Sequence, residues 1–175
     1  IAEEVFGIKG AAQSLPGEID MNFKIVVPDG NAYVLKVSRP ETTVEYLQFQ
    51  QELLRHLETH DTELEHPRAI ADRDGLLVSP CEISSAVRHV RMLSWVPGRM
   101  YSQVNPQTDS LRLSLGRVCG RITAALKDFE HKEGFRRLDW DIAQGEWTVR
   151  HLELFPSTQS KTIRYFLERF ESQRQ

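Results

Sequence analysis

Two short apolar runs joined by one turn constrain this chain more than any other feature. Met21, Phe23, Ile25 and Val27 alternate with Asn22, Lys24 and Val26, the period-two pattern of a strand with one buried face. Pro28-Asp29-Gly30-Asn31 follows, a turn cluster in which Pro presets one backbone angle while Gly and Asn accept left-handed conformations. Residues 33–37 then return as a second strand, so the pair predicts an antiparallel hairpin. Residues 2–8 read as a further strand ahead of it. A second hairpin is expected from residues 68–71, through the Asp72-Arg73-Asp74-Gly75 turn, to residues 76–79. Residues 86–95 add another strand, which ends at Pro97-Gly98.

Between the hairpins, residues 41–59 read as helix. Val44, Leu47, Leu54 and Leu57 recur at helical spacing, with Phe49 and Leu53 on adjoining ground. A longer helix is expected after Asn105-Pro106, where Asn suits the cap and Pro the first turn. Leu111, Leu115, Val118, Ile122, Ala125, Leu126 and Phe129 carry its rhythm. Gly116 and Gly120 fall one turn apart, either admitting another helix closely or simply tolerated. A last helix starts near Ser157, with Ile163, Phe166, Leu167 and Phe170 on one side. Strands with one helix, followed by helices alone, make an α+β chain with segregated halves.

Composition narrows the partners. With 40% hydrophobic and 27% charged residues among 175, a packed core is within reach. The net charge of −3 lacks the clustered basic excess that nucleic acid or an anionic membrane would require. No apolar run approaches the ~20 residues of a membrane span, and no signal peptide opens the chain. Cys81 and Cys119 have neither metal nor CxxC spacing; they read as buried, reduced thiols of a cytoplasmic protein, with a disulfide as the alternative. The chain opens on Ile1, and residues 164–175 read as helix with no Gly or Pro stop, so both ends are expected to have been cut from something longer.

Lys36 is the first residue to suggest chemistry. A lysine centred in an apolar strand is costly unless its ammonium reaches water or an anion; the plain alternative is a snorkelling or edge-strand lysine. Upstream, the loop over residues 16–22 holds Gly17, Glu18, Asp20 and Asn22 and feeds straight into the first hairpin strand. A loop so placed can lay backbone N–H groups against phosphates, although it is neither a Walker loop nor a GxGxxG. Downstream lies the residue 41–59 helix, where kinases place a carboxylate that pairs with the strand lysine. Met92-Leu93-Ser94-Trp95-Val96-Pro97-Gly98 later leads from the sheet into the helical region.

Gly17-Glu18-Ile19-Asp20-Met21-Asn22-Phe23 followed by Tyr33-Val34-Leu35-Lys36-Val37 resembles the nucleotide-binding half of the aminoglycoside phosphotransferase and choline kinase superfamily. The subgroup most resembled contains hydroxylysine kinases and the kinase-like modules fused to class III aminotransferases. Residues 50–57, Val90-Arg91-Met92-Leu93-Ser94-Trp95-Val96-Pro97-Gly98, Leu115-Gly116-Arg117 and Trp140-Asp141 extend the likeness over nearly the whole chain. The resemblance implies a protein-kinase-like N-lobe over residues 1–97, an antiparallel sheet of about five strands plus one helix. Residues 98–175 would be the linker and the start of a truncated helical C-lobe.

The same resemblance implies ATP (or GTP) with Mg2+ as cofactors and a small-molecule acceptor as partner. Lys36 would contact the α/β-phosphates, and the loop carrying Gly17, Glu18, Asp20 and Asn22 would cover them. Ser94 and Val96 would offer backbone groups to the base edge, with Trp95 between them either stacking or merely packing. The position of the lysine-pairing Glu holds Gln50; Glu52 is the second choice as neighbour of Lys36.

The family's His-x-Asp, with Asn five residues after the Asp and a later metal-binding Asp, is absent: no catalytic or metal residue is expected in this chain. Asp72 and Asp74 read as solvated turn carboxylates, Asp139 and Asp141 as flanks of a structural or cleft tryptophan, and Arg136-Arg137 as surface. The expected protein is thus the front part of a small-molecule kinase, inactive alone; the alternative is a non-catalytic kinase-like accessory module. The apolar face of Ile163, Phe166 and Phe170 would then favour self-association.

Overall fold

The computed structural model describes residues 1–136, 138 and 141–173, the Ile142 side chain excepted. Arg137, Asp139 and Trp140, and with them the tryptophan of the Trp140-Asp141 pair, lie outside the described residues. The chain divides into two compact units, Ile1–Gly134 and Phe135–Gln175.

The first unit is built on a six-stranded sheet in the order β1-β2-β3-β6-β4, with β5 paired to β6, all antiparallel. The strands are β1 (Ala11–Leu15), β2 (Met21–Val26), β3 (Ala32–Val37), β4 (Ala69–Ile70), β5 (Ser79–Ile83) and β6 (Ala86–Ser94). The β2–β3 hairpin forms as expected: Asp29 Oδ1 accepts from the Asn31 N–H at 2.9 Å, and Gly30 takes φ 90°. Alternation along these strands sends Ile25, Leu35, Val37, Val90 and Met92 to one face, where Phe6 joins them in the core.

Residues 2–8 are a helix rather than a strand: α1 spans Ala2–Phe6 and stops at Gly7, whose φ of 71° closes a left-handed cap. Phe6 and Val5 dock on the sheet face, so burial by a helix face replaces the pairing that alternation suggested. The strand in this part of the chain is β1, whose small residues carry no strong period-two signal. Residues 68–79 depart from expectation as well. The Asp72 turn forms, with Gly75 at φ 84°, but β4 and β5 do not pair with each other. Both bond to β6, whose nine residues offer longer ladders than β4 could.

β5 and β6 instead make their own hairpin through Ser84 and Ser85, both left-handed at φ 53° and 64°.

Helix α2 (Val44–His60) is capped by Thr43, whose hydroxyl accepts from the Tyr46 N–H, and buries Leu47, Gln51 and Leu57. Helix α3 runs over Asp109–Ala125, and its cap is Thr108, not Asn105: the threonine hydroxyl accepts from the Leu111 N–H at 3.2 Å. Arg121 of α3 grips both carboxylate oxygens of Asp61 at the end of α2, and His56 Nε2 lies 2.9 Å from the Ala125 carbonyl. That hydrogen bonding from Arg121 holds the Asp61 carboxyl below the ordinary range. Leu115 and Val118 stay exposed, and a Cβ at Gly116 or Gly120 would meet nothing within 4 Å, which supports simple tolerance of those glycines. Cys119 is exposed and Cys81 half-buried, both free; the expected burial of Cys119 fails because it lies on the open side of α3.

In the second unit a 3-10 segment, Ile142–Leu154, broken at Gln144, precedes α4 (Ser157–Gln173). Leu152 is buried, and Ser160 Oγ donates to the Leu152 carbonyl at 2.7 Å, tying the segment to α4. Gly145, Ile163, Phe166, Leu167 and Phe170 line an apolar depression of about 390 Å³. No helix among the described residues is long and apolar enough to cross a membrane.

Candidate functional site

Register places the polar side chains of the sheet in a row. Leu15 pairs with Asn22, Asn22 with Lys36, and Lys36 with Arg91, so these four side chains share the face opposite the core. The next row on that face is Gln13, Lys24, Val34 and Leu93. A polar row therefore lies beside a step whose inner members, Val34 and Leu93, are apolar.

Residues 16–20 connect β1 to β2 and arch over the end of the polar row. Asn22 Nδ2 donates to the carbonyls of Pro16 and Asp20, each at 3.3 Å, while its Oδ1 accepts from Lys36 Nζ at 2.8 Å. Gly17 permits this arch: a Cβ there would come within 2.3 Å of Asn22 Nδ2 and of the Asp20 carbonyl oxygen. Arg39, just beyond β3, donates to the carbonyls of Glu18 at 2.7 Å and Ile19 at 3.0 Å. These bonds give the loop a definite shape.

Lys36 has neighbours other than those read from sequence. Its ammonium lies 3.3 Å from Asp20 Oδ2. The Gln50 amide oxygen accepts from Arg91 Nη1, and Glu52 lies 3.6 Å from His131. The guanidinium of Arg91 takes up the Gln50 amide oxygen in place of the lysine. Arg91 Nη2 reaches Asp20 Oδ2 at 2.6 Å. Arg91 carried the same signal in the sequence as Lys36, a cation between apolar strand residues (Val90 and Met92), and that anomaly could have found it.

At the exit of β6, the Ser94 N–H donates to the Arg68 carbonyl, the Ser94 hydroxyl accepts from the Arg68 N–H, and the Trp95 N–H donates to the Ala32 carbonyl. The Ser94 carbonyl and the Val96 N–H take no part in these bonds. Two depressions flank this exit and share Ser94, Trp95 and Pro97: one of about 530 Å³ reaches Lys24 and Ala32, the other of about 450 Å³ reaches His66 and Arg68. Lys24 Nζ sits 4.0 Å from the centroid of the Trp95 ring, a cation–π contact that fixes the indole beside the first depression.

Asp20, Asn22 and Lys36 are therefore in direct contact, Gln50 joins them through Arg91, and Ser94, Trp95 and Val96 form a second group. Ser94 lies three residues beyond Arg91, about 10 Å at the ~3.3 Å rise of a strand. That span is on the scale of a nucleotide from base to phosphates. Asp72 and Asp74 belong to a surface turn, and among the described residues no group of three or more His, Cys, Asp or Glu side chains could hold a metal ion.

Residues 12–174 match the sequence model of the phosphotransferase enzyme family. No curated protein matches. Among solved structures, amicoumacin kinase hAmiN in complex with AMP-PNP, Ca2+ and Ami superposes with a TM-score of 0.71 at 19% identity, over 99% of this chain and 52% of that one. A microcompartment-associated aminopropanol kinase gives 0.61 at 20% identity, over 80% and 43%. An aminoglycoside phosphotransferase from Alicyclobacillus acidocaldarius subsp. acidocaldarius DSM 446 gives 0.53 at 15%, over 88% and 43%. The chain spans about half the length, or less, of these structures. The family match covers nearly every residue, and the fold is shared with these kinases: the chain belongs to the phosphotransferase enzyme family.

Proposed function

We propose that the Ile1–Gly134 unit is the nucleotide-binding part of a small-molecule phosphotransferase that moves the γ-phosphate of ATP or GTP to a hydroxyl on a small amine, amino acid or amino alcohol. The observation that carries this reading is Lys36, held by Asn22 and Asp20 beneath a loop shaped by Gly17, one row from the apolar Val34–Leu93 step. The base would lie on that step, with the Ser94 carbonyl and the Val96 N–H at its edge and Trp95 beside it. The phosphates would meet the Lys36 ammonium and N–H groups of the loop. The amicoumacin kinase, solved with AMP-PNP, and the aminopropanol kinase support a nucleotide and a small hydroxyl-bearing acceptor by analogy of fold.

Phosphoryl transfer depends on positioning and charge neutralisation. This chain supplies positioning. It contains no His-x-Asp, and among the described residues no three or more His, Cys, Asp or Glu side chains gather into a metal cluster. The chain alone binds nucleotide and does not turn it over. The test is titration with ATP and with adenosine, comparing wild type with Lys36→Ala. Loss of about tenfold in ATP affinity with adenosine unchanged is expected. ATP binding that ignores Lys36, or steady phosphorylation of an acceptor by this chain, would overturn the respective half of the reading.

A further inference from the structure

We infer that Asp20 and Arg91 are positioning residues for Lys36: the loop carboxylate, anchored by a buried guanidinium, does for this lysine what a helix carboxylate does in protein kinases. The inference rests on the nucleotide reading above and assigns the orienting pair within it.

An ammonium has three donors. Lys36 directs one to Asn22 Oδ1 at 2.8 Å and a second towards Asp20 Oδ2 at 3.3 Å, which leaves the third for an incoming oxygen. Helix α2 brings no carboxylate here, because Gln50 is bonded to Arg91 and Glu52 lies beside His131. Asp20 is thus the carboxylate that faces Lys36.

Two fates are open to Asp20 when a phosphate arrives. It could act as a stand-in anion and leave, or it could stay and hold the lysine. Arg91 decides between them. Its side chain is 1% exposed, its Nη1 goes to the neutral Gln50 amide, and its Nη2 has Asp20 Oδ2 at 2.6 Å. Burial pushes the Arg91 guanidinium below its ordinary value, and the charge of Asp20 is the main opposing pull. Departure of Asp20 would strand a buried cation without a counter-charge, which is strongly unfavourable. Asp20 therefore stays, and Gln50, Arg91, Asp20 and Lys36 form one continuous linkage from α2 through β6 and the loop to β3.

The test compares the wild-type chain with Lys36→Ala, Asp20→Asn and the double variant Asp20→Asn with Gln50→Glu, each titrated calorimetrically with ATP and with adenosine. The double variant returns a carboxylate to Arg91 from α2, so the buried cation remains neutralised should Asp20→Asn alone fail to fold. The expected result is ATP affinity weakened about fivefold or more in both, with adenosine affinity within about twofold of wild type. Electrostatics alone would predict the opposite sign, since removing a negative charge beside the phosphates favours them. Unchanged or tighter ATP binding therefore overturns the inference. Equal losses for ATP and adenosine overturn it too, by reducing Asp20 to scaffold.

If ATP binding ignores Lys36→Ala, the nucleotide reading fails instead. The linkage is then judged from the Lys36 ammonium resonance in nitrogen-edited spectra, which hydrogen bonding protects from rapid exchange. With the Asn22 bond alone left in the double variant, that resonance is expected to exchange clearly faster than in wild type; unchanged exchange there overturns the inference.

Discussion

Asn22 and Lys36 stand directly opposite each other on β2 and β3, and the Asn22 side chain bonds the lysine with its oxygen while bonding the loop with its nitrogen. One amide thereby fixes the position of the cation and the curvature of the backbone above it. Asn22→Ala is expected to weaken ATP binding and to cost about 1 kcal/mol of stability. Asn22→Asp should be worse for the loop than for the lysine, because a carboxylate would face the carbonyls of Pro16 and Asp20. Chemical denaturation alongside ATP titration separates the two effects.

Gly17→Ala tests the arch itself. The new methyl would need room that Asn22 Nδ2 and the Asp20 carbonyl occupy, so the loop must open. ATP affinity should fall while adenosine affinity holds, since the loop lies over the polar row and away from the Ser94 exit. Equal affinity for ATP in wild type and variant would refute the role given to this close approach.

The Ser84-Ser85 turn stores avoidable strain. A two-residue hairpin loop with both residues left-handed favours Asn-Gly, and serine gains little there. Ser85→Gly should raise stability by about 1 kcal/mol, measured by urea unfolding, with no effect on nucleotide binding.

Gln51 is 1% exposed on the inner side of α2, and neither its amide nitrogen nor its oxygen has a hydrogen-bond partner among the described residues. Gln51→Met keeps the length of the side chain and removes the unpaired polar atoms. The variant should be more stable by about 1 kcal/mol, seen as a higher melting temperature.

Asp72 should make stability sensitive to acid. Burial alone would raise its carboxyl, yet hydrogen bonds from the Ser79 hydroxyl and from the N–H groups of Leu76, Asp74 and Gly75 bring it below the ordinary value of 3.8. A depressed carboxyl stabilises the fold above its unfolded value, and the contribution is lost as pH falls through the folded one. Melting temperature should therefore drop on acidification below about pH 4, and drop less in Asp72→Asn.

The hairpin around Gly30, the helix over α2 and the last helix were legible because each announces itself locally, through turn residues or helical periodicity. The two misread stretches fail for the same reason from opposite sides. Val5 and Phe6 satisfy a strand pattern over too few residues to distinguish it from one helical turn, and only docking on the sheet decides the matter. β4 and β5 flank a turn with strong local signals, but β6 competes for both edges, which no local pattern discloses.

In the site, Lys36 was visible as a misplaced charge, and the loop as a small-residue turn before a strand. The partner of Lys36 was not, because the family pattern pointed to α2, whereas the carboxylate comes from the loop and Arg91 takes the helix amide.

Arg39 has an effect beyond closing the loop. A trans peptide is planar, with its N–H and C=O antiparallel. By drawing the oxygens of Glu18 and Ile19 towards itself, Arg39 turns the amide hydrogens of Ile19 and Asp20 the opposite way. The dipoles of two successive peptide units are aimed by a side chain outside the segment they belong to, so the polarity of that segment is set from the far end of β3.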